Sequence, residues 1–133
     1  MSEQYRKVMD FNKQVLGIIP PGRGLLDMDT INLSKTQLVE EALELLDAHE
    51  EGDFIGAVDA CIDSIFFAMG VLYKMGVTEN QFNIIFEVVS NANMSKKIGK
   101  ARGREDHDAL DAAKPDDWVG PEDLIKRILE DED

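Results

Sequence analysis

One cysteine, Cys61, stands in a chain of 133 residues, so no internal disulfide can form. A chain without that covalent staple reads as intracellular. Cations are scarce: 14 Lys and Arg against 27 Asp and Glu leave a net charge of −13. That balance argues against binding to nucleic acid or to an anionic membrane, which both need a basic surface. Aromatic residues are few, 6 Phe, 2 Tyr and 1 Trp, and long stretches are instead rich in Ala, Leu, Glu, Lys and Met, a helical bias. The longest apolar run, residues 65–73, is shorter than the about 18 residues needed to cross a bilayer. The polar start, Met1 to Lys7, lacks the pattern of a secretory leader. A cytoplasmic protein is expected.

The apolar fraction of 44% and charged fraction of 31% fit a soluble chain with a core of its own, and residues 1–133 read as one domain. Tyr5, Val8, Met9, Phe11 and Val15 have the spacing of an amphipathic helix over 3–16, with Ser2 as its cap. Pro20-Pro21-Gly22-Arg23-Gly24 makes residues 17–29 a loop. A second helix is predicted from Thr30 or Ser34 to His49, burying Leu38, Ala42, Leu45 and Leu46. After the break at Glu51-Gly52-Asp53, with Asp53 as a cap, a third and most apolar helix runs over 54–75 and ends at Gly76. Thr78 and Gln81 have capping-box spacing at the head of a fourth helix that reaches Lys97, with Phe82, Ile85, Phe86 and Val89 on its inner face. Residues 99–120 read as a polar loop, and Pro121 opens a short C-terminal helix packed on the rest. The expected fold is all-α, an antiparallel four-helix bundle with a short C-terminal helix. Its aromatic third helix has more apolar surface than one copy would hide, so a homodimer or homotetramer is expected to complete it.

Two acidic clusters interrupt helices that should otherwise be core: Glu40-Glu41-Ala42-Leu43-Glu44, and Asp59-Ala60-Cys61-Ile62-Asp63. Residues three and four apart share a helix face, so Glu41 and Glu44, Glu40 and Glu44, and Asp59 and Asp63 point together. Glu41 falls inside the apolar stripe between Leu38 and Leu45. Asp63 is ringed by Ile62, Ile65, Phe66 and Phe67. A lone buried carboxylate costs several kcal/mol, roughly, unless it is paired or holds a metal. Glu44 precedes the Glu51-Gly52-Asp53 turn, and Asp59 follows it, by similar numbers of residues. At about 1.5 Å of rise per residue, both clusters then stand at one level of the bundle. Carboxylates gathered in this way call for divalent cations.

At these residues the chain resembles the all-α nucleoside triphosphate pyrophosphohydrolases, the MazG-like superfamily, which includes phosphoribosyl-ATP pyrophosphohydrolases and dimeric dUTPases. Glu40, Glu41 and Glu44 fit the family's Glu-Glu-x-x-Glu, and Asp63 fits the last residue of its Glu-x-x-Asp. Ala60 stands where that second motif has Glu, and Asp59 lies one residue earlier. A phosphoribosyl-ATP pyrophosphohydrolase-like branch, common in phages, is similar in using Asp-x-x-x-Asp here. Asn93-Met94-Ser95-Lys96 resembles that branch's Asn-Met-Ser-Lys signature, and Lys114, Pro115, Trp118, Pro121 and Asp123 its C-terminal segment.

The resemblance implies Mg²⁺-dependent cleavage of a nucleoside triphosphate between its α and β phosphates, giving monophosphate and pyrophosphate, with Mn²⁺ as a substitute ion. Glu41, Glu44, Asp59 and Asp63 are the expected metal ligands. Glu40, Glu41, Glu44 and Asp63 form the catalytic set, and a glutamate not fully used in coordination serves as base. Asn93, Lys96 and Lys114 are the expected substrate contacts. The alternative is a non-catalytic helical module that binds metal or nucleotide, and the displaced Asp59 favours it. Cys61 reads as a small core residue, and His49 and His107 read as surface. Asp106-His107-Asp108 lacks the remaining ligands of a calcium loop, and Arg102-Gly103-Arg104 is too small a basic patch for nucleic acid. Trp118 is expected to pack the tail rather than to stack on a base.

Overall fold

Helices form where the apolar spacing places them. In the computed structural model, which describes residues 2–99, 103–104 and 111–131, they are α1 (Ser2–Gln14), α2 (Met28–Glu51), α3 (Phe54–Lys74), α4 (Glu79–Met94) and α5 (Glu122–Glu130). The architecture is all-α, as expected. The readings of His107, Asp106 to Asp108 and Arg102 lie outside the described residues. The chain, read above as one domain, gathers into two compact units, Met1–Glu79 and Asn80–Asp133.

In the first unit, α2 and α3 form an antiparallel hairpin across a turn of two residues, Gly52 and Asp53. Gly52 has φ +69°, its N–H donates to the His49 carbonyl at 3.2 Å, and the Asp53 N–H donates to the Ala48 carbonyl at 2.7 Å. This crossed pair satisfies the last carbonyls of α2. The Asp53 carboxylate accepts from the Gly56 N–H at 3.0 Å and so caps α3, as the sequence predicts. The start of α2 comes earlier than predicted, at Met28. The reason is Asp27, whose carboxylate accepts from the Thr30 N–H at 2.8 Å and the Thr30 hydroxyl at 3.0 Å and is held below the usual carboxylate range by these bonds.

Helix α1 packs on α3 through Tyr5, Val8 and Asn12, all nearly inaccessible. The Tyr5 hydroxyl donates to the Val77 carbonyl and the Tyr73 hydroxyl to the Ile18 carbonyl, each at 2.7 Å. Burial raises the Tyr5 pKa far above its ordinary value. Gly70 permits the close approach: a Cβ there would lie 3.3 Å from Asn12 Nδ2. The Phe11 and Phe66 rings meet edge to face at 5.2 Å.

The buried line of α2 is Ser34, Glu41 and Ala48, not the stripe predicted above. Ala42 and Leu46 are exposed. The spacing of seven is that of a narrow seam between two nearly parallel helix axes, which leaves the flanks of a broader apolar stripe uncovered. Cys61, expected in the core, is exposed for the same reason, being neighbour to the buried Ala60. Phe54, Ile55, Val58, Ile62 and Ile65 of α3 are exposed as well. No single apolar run is long, yet α3 as a whole is long and apolar enough to cross a membrane by length and composition, a test that core helices of soluble proteins also pass. It carries Asp59 and Asp63 and packs on α1 and α2.

In the second unit, α4 stops at Met94, short of the predicted Lys97. The Ala92 carbonyl accepts from the Ser95 N–H at 3.2 Å, the Ser95 hydroxyl at 2.6 Å and the Trp118 indole N–H at 2.8 Å, which draws the chain out of the helix. Within α4, Phe82 is buried against Phe86, but Phe86 is itself exposed. The predicted polar loop contains a two-stranded antiparallel ribbon, β1 (Lys97–Gly99) and β2 (Asp111–Ala113), with Lys97 opposite Ala113. Strands of three residues are too short to show an alternating pattern. Arg104 pairs with Asp111 at 2.6 Å and lowers the Asp111 pKa.

Two glycines with similar backbones give a test. Gly52 (φ +69°) has no atom within 4 Å of where a Cβ would stand, whereas at Gly76 (φ +84°) a Cβ would lie 2.5 Å from the Gly22 carbonyl oxygen. Gly52→Ala is expected to cost about 1 kcal/mol, the left-handed backbone penalty alone. Gly76→Ala is expected to cost more than about 2 kcal/mol, because a backbone clash adds to it. Urea unfolding of the two variants measures the difference, and equal costs would mean that the loop does not press on the end of α3.

Candidate active site

The hairpin turn fixes the register of the acidic residues. Glu41 stands ten residues before the end of α2 at Glu51, and Asp63 nine after the start of α3 at Phe54. At about 1.5 Å per residue both lie roughly 14–15 Å from the turn, so they face each other across the seam. Glu44, one turn along from Glu41, shares its face. The structure brings these three together. Glu41 is only 6% exposed, Asp63 is half-buried, and Glu44 reaches solvent.

Glu41 is pushed up to about 7 from an ordinary 4.5. A hydrogen bond shared with Glu44 is the main cause, followed by burial, the Glu44 charge, the Asp63 charge and a hydrogen bond with Asp63. Glu41 is thus a carboxyl group that holds its proton more tightly than usual, beside Glu44 and Asp63. No Lys or Arg pairs with any of the three among the described residues.

Glu40 and Asp59 are exposed and do not contribute to the Glu41 contacts. Asp59 is exposed one residue before the position the motif gives to Glu, and that position is filled by Ala60, 1% exposed. The donor set is one of hard oxygen atoms, which suits Mg²⁺. It is not a ready cage. Among the described residues no three His, Cys, Asp or Glu side chains stand where they would hold an ion.

One turn farther from the hairpin, a cavity of about 130 Å³ is lined by Phe11, Asn12, Gln37, Phe66, Phe67 and Gly70, among others. Gln37 lies four residues before Glu41, and Phe67 four after Asp63, so the cavity adjoins the carboxylates. Asn12 and Gln37 were not singled out in the sequence. The signal for Asn12 was there: an amide at the seventh position after Tyr5, inside the apolar face of α1. The depression at the turn, bounded by Ala48, His49, Phe54 and Ala57, holds none of the motif carboxylates.

In the second unit, Lys96 lies past the end of α4, so Asn93 and Lys96 do not share a helix face as expected. The Lys96 N–H donates to the Asn93 carbonyl at 3.1 Å. The structure gathers Lys96 and Lys114 at Trp118, with their ammonium groups 5.1 and 4.9 Å from the ring centroid. Trp118 packs, as expected.

A family model described as phosphoribosyl-ATP pyrophosphohydrolase matches residues 25–93, just over half of the chain. The chain belongs to this family. The match covers α2 and α3 whole and nearly all of α4, with Glu40, Glu41, Glu44, Asp59 and Asp63; Lys96 and Lys114 lie beyond it. No curated protein matches the chain. Membership makes this pyrophosphohydrolase-family chain an enzyme with nucleotide pyrophosphohydrolase-like activity.

The proton on Glu41 gives a pH test. Its folded-state pKa lies above the unfolded value, so its contribution to stability is fully present below about pH 4.5 and is lost as pH rises through about 7. Asp27 and Asp111 have lowered pKa values and act in the opposite sense only below the ordinary carboxylate range, so the windows separate. In EDTA the melting temperature should therefore rise between pH 8 and pH 5. Glu41→Gln, whose amide can still donate to both neighbours, should flatten that slope and raise the melting temperature at pH 8. Parallel slopes in the two proteins would remove Glu41 from the account.

Proposed function

We propose that the chain hydrolyses a nucleoside triphosphate between its α and β phosphates, giving nucleoside monophosphate and pyrophosphate, with Mg²⁺ as cofactor and Mn²⁺ as a substitute. The observation that carries this reading is the meeting of Glu41, Glu44 and Asp63 at one level of two helices, with one carboxyl buried and no Lys or Arg paired with them among the described residues. Glu41, Glu44 and Asp63 would hold the ion, which would supply neutralisation of phosphate charge and an acidified water.

Glu41, Glu44 and Asp63 are the proposed ligands, with Asp59 as an outer one. Glu41 would have to lose its proton to serve as a ligand, because metal-binding carboxyl groups are deprotonated. Glu40, exposed and adjacent, is free to take a proton from water. The neighbouring cavity, with Phe66 and Phe67 for stacking and the Asn12 and Gln37 amides for hydrogen bonds, is proposed to hold the base. Asn93, Lys96 and Lys114 are the proposed contacts to phosphate.

The working form is proposed to be a homodimer or homotetramer in the cytoplasm. Phe54 and Ile55 are 79% and 81% exposed, and Leu43, Leu46 and Ile62 add to them on the same two helices. A second copy would cover this surface.

Two observations favour a second reading, a non-catalytic module that binds metal or nucleotide: the exposed Asp59 and the buried Ala60 in place of a motif glutamate. Assays on nucleoside triphosphates with Mg²⁺ separate the two readings. Pyrophosphate and monophosphate are the expected products, with no turnover in EDTA. Glu44→Gln and Asp63→Asn should each lower kcat by at least about 100-fold, the order expected when a group that stabilises transition-state charge is removed. Orthophosphate as product, or turnover in EDTA, would overturn the mechanism. Binding without turnover would favour the module. Light scattering at micromolar concentration should show two or four copies, and a monomer mass would refute the assembly.

A further inference from the structure

The ribbon of the second unit pairs Lys97 with Ala113 and Gly99 with Asp111. Continued by one residue, that register sets Lys96 opposite Lys114 at the open end of the ribbon, just past the end of α4. Like charges directly opposite each other destabilise a pair of strands. What the two lysines share is Trp118, whose ring centroid lies 5.1 and 4.9 Å from their ammonium groups. The ring is half-buried and anchored on two sides. Its indole N–H donates to the Ala92 carbonyl at 2.8 Å, and the Trp118 backbone N–H donates to the Pro115 carbonyl at 3.0 Å.

A ring attracts a cation through its quadrupole but carries no net charge, so it orients an ammonium group without cancelling it. A carboxylate would do both. The carboxylate on the ribbon, Asp111, is committed elsewhere: one oxygen accepts from Arg104 Nε at 2.6 Å and the other from the Ala112 N–H at 2.8 Å. Lys96 adds less than Arg104 or the Ala112 N–H to the lowering of the Asp111 pKa. Neither Lys96 nor Lys114 is in an ion pair among the described residues. In a chain of net charge −13, two opposed lysines are thus gathered on an uncharged ring and left for an outside anion. Lys96, Lys114 and Trp118 all lie beyond residues 25–93, so the family match does not carry this arrangement.

We propose that Trp118 is a positioning residue, whose ring holds Lys96 and Lys114 as a two-ammonium clamp for a phosphoanhydride group. That group is the outer pair of phosphates of the substrate before cleavage and pyrophosphate after it. The proposal rests on the reading that these two lysines contact phosphate. Each ammonium group has three N–H donors, and the ring face takes up one side of it, so the others reach a phosphate oxygen. Two linked phosphates offer oxygen atoms to both lysines at once, whereas a lone phosphate offers one charged centre. Without the ring, two long side chains of like charge would diverge, and the anion would have to order them as it bound. The indole N–H is spent on Ala92, so Trp118 acts through the lysines and not by a hydrogen bond of its own to the ligand.

The test uses the whole chain with inorganic pyrophosphate as the probe, titrated calorimetrically at low salt in EDTA. The wild type should bind pyrophosphate, and more tightly than inorganic phosphate, and added KCl should weaken the binding by screening. Lys96→Gln and Lys114→Gln should each weaken it by about tenfold or more, the loss expected for one charge-assisted contact. Trp118→Leu, with both lysines intact, should weaken it to a similar degree. Trp118→Phe keeps a ring face without the indole N–H, so it should retain part of the affinity, and it serves if Trp118→Leu does not fold. In kinetics, Trp118→Phe should raise KM for a nucleoside triphosphate and change kcat less, as the loss of uniform binding does. No pyrophosphate binding by the wild type would overturn the clamp. So would Trp118 variants that melt earlier yet bind pyrophosphate as the wild type does, or displacement of pyrophosphate by adenosine, which would mark Trp118 as a surface for a base. Nucleotide hydrolysis with an unchanged KM in Trp118→Phe sinks the positioning role alone. Pyrophosphate binding that depends on Trp118, with no hydrolysis of any nucleotide, supports the clamp and sinks the catalytic reading.

Discussion

The register between α2 and α3 is set at a turn of two residues. Gly52 takes the left-handed backbone, the Asp53 N–H returns to the Ala48 carbonyl, and the Asp53 side chain starts the next helix. A turn this short leaves no slack. Once it closes, Glu41 has to meet Asp63, and Gln37 has to stand level with Phe67. Lengthening it by one residue would rotate α3 by about 100° and put Asp63 on another face. The chemistry of the first unit depends on this connection more than on any single contact inside the site.

The site itself works against the fold that supports it. A seam of Ser34, Glu41 and Ala48 is a poor core, with one charged and one hydroxyl-bearing residue where aliphatic side chains would serve better. The Ser34 hydroxyl is buried without a partner among the described residues. Such groups lower stability and are retained where function needs them. The compensation is on the other face of α3. Tyr5, Val8 and Asn12 close on Gly70, and two tyrosine hydroxyls tie the ends of the helices to loop carbonyls. The α1 side adds apolar packing and two tyrosine hydrogen bonds, while the α2 side holds like charges together.

Much of this was legible in the sequence, for reasons that differ by residue. Glu41, Glu44 and Asp63 were visible because a carboxylate inside an apolar stripe breaks a rule, and because counting from a turn needs no side-chain detail. The two caps at Asp53 and Gly76 were visible because the residue types at helix ends are restricted. Ala42, Leu46 and Cys61 show the limit: a helix face is wide and the seam is narrow, so residues on its flanks stay in solvent. The aromatic cavity was not legible at all, since Asn12, Gln37 and Phe67 come from three helices and only packing unites them. The end of α4 depends on a tryptophan 26 residues downstream, which no local pattern contains.

That tryptophan is the only one in the chain. Its indole N–H is fixed to the Ala92 carbonyl and its ring lies beside two ammonium groups, those of Lys96 and Lys114. Any anion that draws either lysine away changes the electric field across the ring. Tryptophan emission therefore originates at one residue in a defined electrostatic setting. The protein carries a built-in optical reporter for its two lysines, readable without a label.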